Sequence, residues 1–142
     1  LLLKEILGTG TYVAAVPNLA TKALLQEWAL DSGIQLVDDL HVTLLYSRNS
    51  ISVSPKKDVD YHATPLKFDT FDGNCLVLVL ESEDLQRRHD QFIQAGGTHD
   101  FPKYNPHVTL VKGKESLSGL SLPNFALTFC NEYAEVLDDG DF

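Results

Sequence analysis

The sequence His-Val-Thr-Leu occurs twice, as His41-Val42-Thr43-Leu44 and as His107-Val108-Thr109-Leu110. The surroundings are also alike, with Asp39-Leu40 before and Leu45 after the first copy, and Asn105-Pro106 before and Val111 after the second. In an extended strand side chains alternate between two faces. Within each copy the histidine and threonine therefore share one face, and the two apolar residues share the other. If the apolar faces are buried, both His/Thr pairs project from a sheet. An ordinary imidazole titrates near pH ~6.5, so two of them facing one cleft can hold one proton between them, one acting as base and the other as acid. That pairing suits a displacement at phosphorus, such as attack of a ribose 2′-hydroxyl on its neighbouring phosphodiester. One proton leaves the nucleophile and another reaches the departing oxygen, each transfer typically contributing ~10²–10⁴-fold. The threonine hydroxyls can donate to the non-bridging phosphate oxygens, where negative charge grows in the transition state. One H-x-T is a weak signal, because a lone strand histidine is more often structural. Two copies in equivalent positions are a strong one.

The elements that must carry these residues are legible in outline. Gly10 to Val16 is β-branched and apolar and reads as a strand, which Pro17 and Asn18 break. Leu19 to Ser32 has helical character, with Ala20, Leu24 and Trp28 as its expected apolar stripe and Gly33 as its stop. A loop leads to the first His-Val-Thr strand, and the polar stretch 47–60 reads as loop or irregular edge. Tyr61 to Phe71 alternates enough for a strand, in which Pro65 implies an edge or a bulge. Asp72-Gly73-Asn74 is a turn, and Cys75 to Leu80 a central strand. Ser82 is placed to cap a helix with Glu83 and Asp84 in its first turn. Leu85, His89 and Phe92 line one face of that helix, and Gly96-Gly97 ends it. The second His-Val-Thr strand follows, then a last strand from Phe125 to Tyr133 and an acidic tail. Strand, helix, glycine stop, loop and His-Val-Thr strand thus occur twice in the same order. Thr11 answers to Cys75, Gly33 to Gly96 and His41 to His107 at a near-constant offset, which implies an internal duplication. The expected fold is α+β: a single domain over residues 1–142 with two pseudo-symmetric lobes, roughly 11–70 and 75–135. Mainly antiparallel sheets would flank a central cleft, with the helices outside.

Composition narrows the partners. The chain has 142 residues, is 44% hydrophobic and 22% charged, and carries a formal net charge of −9. It is long enough for one domain with its own core. The acidic balance argues against a long nucleic-acid footprint, which needs a basic face, but not against a small anionic ligand. Arg48, Lys56 and Lys57 follow the first motif, and Lys103, Lys112 and Lys114 flank the second. They form either a basic mouth on an acidic body or ordinary scattered surface charge. No apolar run approaches the ~18 residues of a membrane span, and no obligate protein partner is expected. The start, Leu1-Leu2-Leu3-Lys4, does not resemble a signal peptide, and in a chain without Met a trimmed N-terminus is expected. Cys75 and Cys130 lie in apolar runs and are expected to be buried free thiols of a reducing cytosol. No metal site and no cofactor is expected. There is no H-E-x-x-H, no cysteine pair at zinc spacing and no acidic cluster beside the motifs, and Gly8-Thr9-Gly10 lacks the lysine and spacing of a phosphate loop. His89, on the apolar stripe of its helix, is expected to be structural. His62 and His99 lie near strand and loop boundaries and carry no reading.

These residues resemble the two-histidine (2H) phosphoesterase superfamily, whose hallmark is two H-x-[T/S] motifs on strands of a duplicated α/β lobe. Within it the likeness is strongest to the phage anti-CBASS nucleases. It rests on Leu7 to Ala15, on His41 to Ser47 and on Asn131 to Asp138. The resemblance implies metal-independent hydrolysis of the 3′–5′ bonds of cyclic di- and trinucleotide alarm signals, such as 3′,3′-cyclic GMP-AMP and cyclic tri-adenylate. That would block host CBASS defence from within the cytoplasm of an infected bacterium. It implies His41, Thr43, His107 and Thr109 as catalytic residues, and Tyr12 and Glu135 as contacts to a base. The family's late tryptophan is missing here, and Phe142 is the nearest aromatic replacement. The same chemistry would also serve an RNA-end 2′,3′-cyclic phosphodiesterase or a 2′,5′-oligoadenylate phosphodiesterase. A non-catalytic cyclic-nucleotide sponge is the third reading.

Overall fold

The computed structural model describes residues 10–71, 75–113 and 119–141. Strand β1 spans Gly10–Pro17 and is followed by helix α1, Leu19–Ser32. Strands β2 (Val42–Ser47), β3 (Tyr61–Phe71) and β4 (Cys75–Glu81) precede helix α2, Glu83–Gln94. Strands β5 (His107–Lys112) and β6 (Leu127–Leu137) lead to a short 3-10 turn, Asp139–Asp141. The Asp72-Gly73-Asn74 turn, Gly8-Thr9-Gly10 except its last residue, Lys114 and Phe142 lie outside the described residues.

Local chemistry sets the helix ends. The Asn18 side chain accepts the Thr21 amide at 2.8 Å to start α1, and Gly33 stops it in the left-handed region at φ 74°, where a side chain would be strained. Ser82 Oγ accepts the Leu85 amide at 3.0 Å to start α2, and Glu83 and Asp84 sit against the positive end of the helix. The buried stripe of α2 is Leu85, His89 and Phe92, as the periodicity indicates. The stripe of α1 is a correction. Thr21, Leu25 and Ala29 are buried, whereas Ala20 and Leu24 are exposed and Trp28 is half-buried. Apolar residues run almost all round this helix, so spacing alone could not select its inner face. The last strand is also longer than expected and begins later. It continues through Ala134, Glu135 and Val136, which pair with Val13, Tyr12 and Thr11 of β1, so its acidic end is strand rather than tail. Pro65 marks a bulge, where the pairing with β4 slips between Pro65 and Lys67.

All the strand pairings are antiparallel, and they close the six strands into a ring in the order β1-β2-β5-β4-β3-β6. Exchanging β1 with β4, β2 with β5 and β3 with β6 carries this order onto itself. The registers obey the same exchange. Val13 faces Leu45 and Ala14 faces Thr43 across a bulge that leaves Leu44 extra. Leu76 faces Val111 and Val77 faces Thr109 across a bulge that leaves Leu110 extra. Two pairings map onto themselves, Val42 with Val108 and Ala63 with Leu127, and they mark where the pseudo-twofold axis passes.

The bulges decide which side chains share a face. An extra residue resets the alternation, so Val42, Leu44 and Leu45 all turn into the core and are at most 1% exposed. His41, Thr43 and Tyr46 turn the other way. In β5, Val108, Leu110 and Val111 are buried, while His107 and Thr109 are half-buried and Lys112 is exposed. The buried residues of both halves form one core, in which Val13, Leu44, Leu78, Leu110, Leu127 and Phe129 are essentially inaccessible. The helices lie on its outer side. The Thr128 amide donates to Thr21 Oγ1 of α1 at 3.0 Å, and the His62 amide donates to Asp84 of α2 at 2.9 Å.

Candidate active site

The Val42–Val108 pairing brings the two motifs together. Counting outward in antiparallel order sets His41 across from Thr109 and Thr43 across from His107. Diagonal neighbours in such a ladder lie roughly 7–8 Å apart, so the two imidazoles start from neighbouring positions on one face. His41 stands just before β2 and His107 at the first position of β5. Each is tethered in the same way. Nδ1 of His41 lies 2.7 Å from the Asp39 carbonyl, and Nδ1 of His107 lies 3.0 Å from the Asn105 carbonyl. A carbonyl can only accept, so both Nδ1 atoms carry the proton and the exchangeable site is Nε2. Sequence spacing singles out these four residues as candidates. The tethers come from the two residues before each motif strand.

The surroundings of the two pairs differ. Tyr12 reaches Thr43, with its hydroxyl 3.0 Å from Thr43 Oγ1, and its ring meets His41 edge-on at 6.5 Å. Burial pushes the Tyr12 hydroxyl well above the ordinary tyrosine range. The Thr43 hydrogen bond acts against that rise, and Tyr133 and Glu135 add to it. The phenol is therefore neutral at physiological pH. Tyr46 and Tyr133 complete an aromatic patch around Tyr12, at ring distances of 5.9 and 6.2 Å. Glu135 is exposed and is the cross-strand partner of Tyr12. Sequence reading missed Tyr46 and Tyr133. Tyr46 lies three residues beyond Thr43, the wrong parity for a regular strand, and only the bulge at Leu44 turns it to the motif face. Tyr133 pairs with Ala14, a register that spacing does not reveal. In the second half the register positions of Tyr12 and Tyr46 are taken by Cys75 and Lys112, which pair with each other. At the positions equivalent to Tyr133 and Glu135 the second half carries Asp69 and Phe71, so the two halves differ in chemistry.

Arg48 and Lys57, two of the basic residues that follow the first motif, are held by other partners. Arg48 forks onto Asp100 at 2.9 and 3.1 Å, and Lys57 Nζ donates to the Glu132 carbonyl at 2.6 Å. A separate groove of about 770 Å³ runs between β4, α2 and the loop before β5, and none of the four motif side chains lines it. His89 is buried, stacked on Tyr104 and hydrogen-bonded to the Leu44 carbonyl. His62 is exposed, with Nδ1 3.1 Å from Thr128 Oγ1. His99 is half-buried, with Nε2 3.2 Å from the Lys103 carbonyl. Cys75 and Cys130 are free thiols but only half-buried, a correction to the expected full burial, because both sit on strand faces outside the core. Among the described residues no group of three or more His, Cys, Asp or Glu side chains is placed to hold a metal ion, and no helix is long and apolar enough to cross a membrane.

Comparison with known proteins bears on the fold and the family. The fold resembles that of E. coli LigT, whose crystal structure complexed with phosphate superposes with a TM-score of 0.59 at 13% identity, covering 89% of this chain and 85% of LigT. The LigT complex with 3′-AMP gives a TM-score of 0.58 at 14% identity, covering 89% and 86%. At that identity the likeness is one of fold. Closer in sequence are the anti-CBASS proteins Acb1 of Escherichia phage RB16, 35% identical over 95% of this chain and 84% of its own, and of Vibrio phage KVP40, 37% identical over 95% and 92%. The protein of Enterobacteria phage T4 is 34% identical over 92% and 90%. The family model for the anti-CBASS protein Acb1 matches residues 9–141, and the chain belongs to that family, on a 2H-phosphoesterase fold.

Proposed function

We propose that this protein is a phosphodiesterase that opens cyclic di- and trinucleotide immune signals at their 3′–5′ bonds and so blocks CBASS defence in an infected bacterial cytoplasm. The observation that carries the reading is the pair of Nδ1-tethered imidazoles on facing strands, each with a threonine beside it. One Nε2 takes the proton of a ribose 2′-hydroxyl, whose oxygen attacks the adjacent phosphorus in line. The other Nε2, protonated, gives its proton to the departing 5′-oxygen. The ring opens to a linear product ending in a 2′,3′-cyclic phosphate. The proton states are then reversed, so the same pair can direct water onto that phosphorus and protonate the 2′-oxygen, leaving a 3′-phosphate. Every proton in this scheme moves between histidine, substrate and water. Thr43 and Thr109 donate to the non-bridging oxygens. Tyr12, by donating to Thr43 Oγ1, leaves the threonine's own proton for the phosphate, while the aromatic patch and Glu135 offer a face and an acceptor to an adenine. Phe142 belongs to the same proposed ligand contacts.

Tyr12→Phe keeps the ring and removes the hydroxyl. It is expected to lower kcat up to about tenfold, the worth of one hydrogen bond, with KM little changed, in steady-state assays on a cyclic dinucleotide. The reading itself is tested by incubating the protein in EDTA with four substrates: 3′,3′-cyclic GMP-AMP, cyclic tri-adenylate, linear 2′,5′-oligoadenylate and an RNA ending in a 2′,3′-cyclic phosphate. Products are identified by mass. Opening of the cyclic species is the expected result, and replacing the scissile ribose by 2′-deoxyribose should block it. Cleavage confined to the linear or RNA-end substrates would move the activity to RNA processing. Binding of cyclic species without cleavage would make the protein a sponge.

A further inference from the structure

Two successive carbonyls at the bulge of β2 accept hydrogen bonds from buried side chains. The Tyr104 hydroxyl donates to the Thr43 carbonyl at 2.7 Å, and His89 Nδ1 donates to the Leu44 carbonyl at 2.7 Å. The two rings lie flat on each other, with centroids 4.2 Å apart and planes at 7°. His99 closes the edge of the stack at 4.7 Å from His89. His89 is 4% exposed and Tyr104 is 7% exposed. In the other half the extra residue Leu110 accepts the Val37 amide at 2.8 Å, a main-chain donor where Leu44 has an imidazole. The ring stack is therefore specific to the half that carries His41, Thr43 and the aromatic patch. Tyr104 itself stands in the loop that enters β5, three residues before His107. The segment that leads into one motif thus holds the backbone of the other.

We propose that His89 and Tyr104 are positioning residues. Through the Thr43 and Leu44 carbonyls they fix the His41/Thr43 half of the site in register with the His107/Thr109 half. The inference rests on the proposed phosphodiesterase reading for its kinetic consequence but not for its geometry. Both residues are buried and donate to carbonyls of β2, so their effect passes through its main chain. A misplacement of reacting groups by about 1 Å can cost ~10²-fold in rate, which is the scale on which a loosened bulge would act.

The test compares Tyr104→Phe, His89→Leu and His89→Asn with the parent protein. Tyr104→Phe keeps the stack and loses only the hydroxyl. His89→Leu loses the donor. His89→Asn places an amide N–H near the position of Nδ1. Expected are a fall in kcat of about 10- to 100-fold for Tyr104→Phe and His89→Leu, KM within about twofold, and recovery to within about threefold of the parent in His89→Asn. Unchanged kcat in folded Tyr104→Phe and His89→Leu would overturn the proposal. So would an Asn variant as slow as the Leu variant with a matching drop in Tm, which would make the stack mere packing. A second readout needs no substrate. In two-dimensional NMR the His41 ring and Thr43 resonances should move in Tyr104→Phe while those of His107 stay. If neither set moves, the brace is refuted even should turnover be found. If both readouts hold but only RNA-end substrates are cut, the brace stands and the cyclic-nucleotide reading fails.

Discussion

His41→Ala and His107→Ala are each expected to lower the single-turnover cleavage rate by at least about 10²–10⁴-fold, with ligand affinity within a few-fold of the parent. The argument is one of proton accounting. Each ring donates its Nδ1–H to a fixed carbonyl, Asp39 or Asn105, so only Nε2 can exchange a proton with substrate. Loss of either ring therefore removes one whole transfer and leaves the threonines and the aromatic patch in place to bind. His41→Asn sharpens the test, because its amide can keep the tether to Asp39 yet offers nothing at the position of Nε2. It should be as slow as the alanine variant. Rapid-quench kinetics together with calorimetric binding of a 2′-deoxy analogue would measure both quantities. Full turnover in both alanine variants would exclude the mechanism.

The largest expected effect on stability lies away from the cleft, at Glu132. Its side chain is fully buried and accepts two bonds from Arg88 at 2.7 and 2.9 Å, one from the Tyr61 hydroxyl at 2.6 Å and one from the Lys56 amide at 2.9 Å. It ties α2, β3, β6 and the 51–60 segment to one carboxylate. Glu132→Ala strands a guanidinium, a phenol and an amide together, and removing one partner of a buried pair costs about 3–5 kcal/mol. At roughly 3–5 °C per kcal/mol for a domain of this size, Tm should fall by about 10–20 °C. The pH dependence follows in sign. Burial alone pushes the Glu132 carboxyl up, but Arg88, the Lys56 amide and Tyr61 outweigh it and hold it below the ordinary carboxylate range. The native state therefore favours the ionised form. Its contribution is complete above the unfolded glutamate range near pH ~4.3 and is lost as pH falls through the lower native value. Glu132→Gln should flatten that acid limb in urea melts taken between neutral and strongly acidic pH. A variant whose melting is as acid-sensitive as the parent's would refute the assignment.

What sequence could and could not reveal follows from the range of the forces involved. The α2 stripe and both helix starts are local, set by spacing and by one capping side chain, and they stood in the sequence as written. The α1 stripe was misplaced by one residue because Leu19, Ala20, Leu24, Leu25 and Leu30 surround that helix with nearly equal hydrophobicity. The His/Thr pairs were legible because a period-two argument needs only neighbouring residues. The bulges were not. They change which face Tyr46 and Lys112 adopt, and nothing in Leu44-Leu45 or Leu110-Val111 announces that two successive apolar residues both turn inward. Nor could the Glu132 network be read. A lone glutamate in a strand looks like surface until Arg88, Tyr61 and the Lys56 amide, each far away in sequence, are folded onto it.

The pairing of β1 with β6 also bears on how the protein is made. Tyr12 leaves the ribosome well before its cross-strand neighbours Tyr133 and Glu135. Until β6 has been synthesised, the ring stays open at β1 and β3, two unpaired edges of the kind that recruit stray strands. The nascent chain can hold both His/Thr motifs and still lack the aromatic patch. A ribosome stalled after β5 would therefore display a sticky intermediate rather than a weak version of the finished site, and translation through the last strand is the step that both seals the molecule and completes that patch.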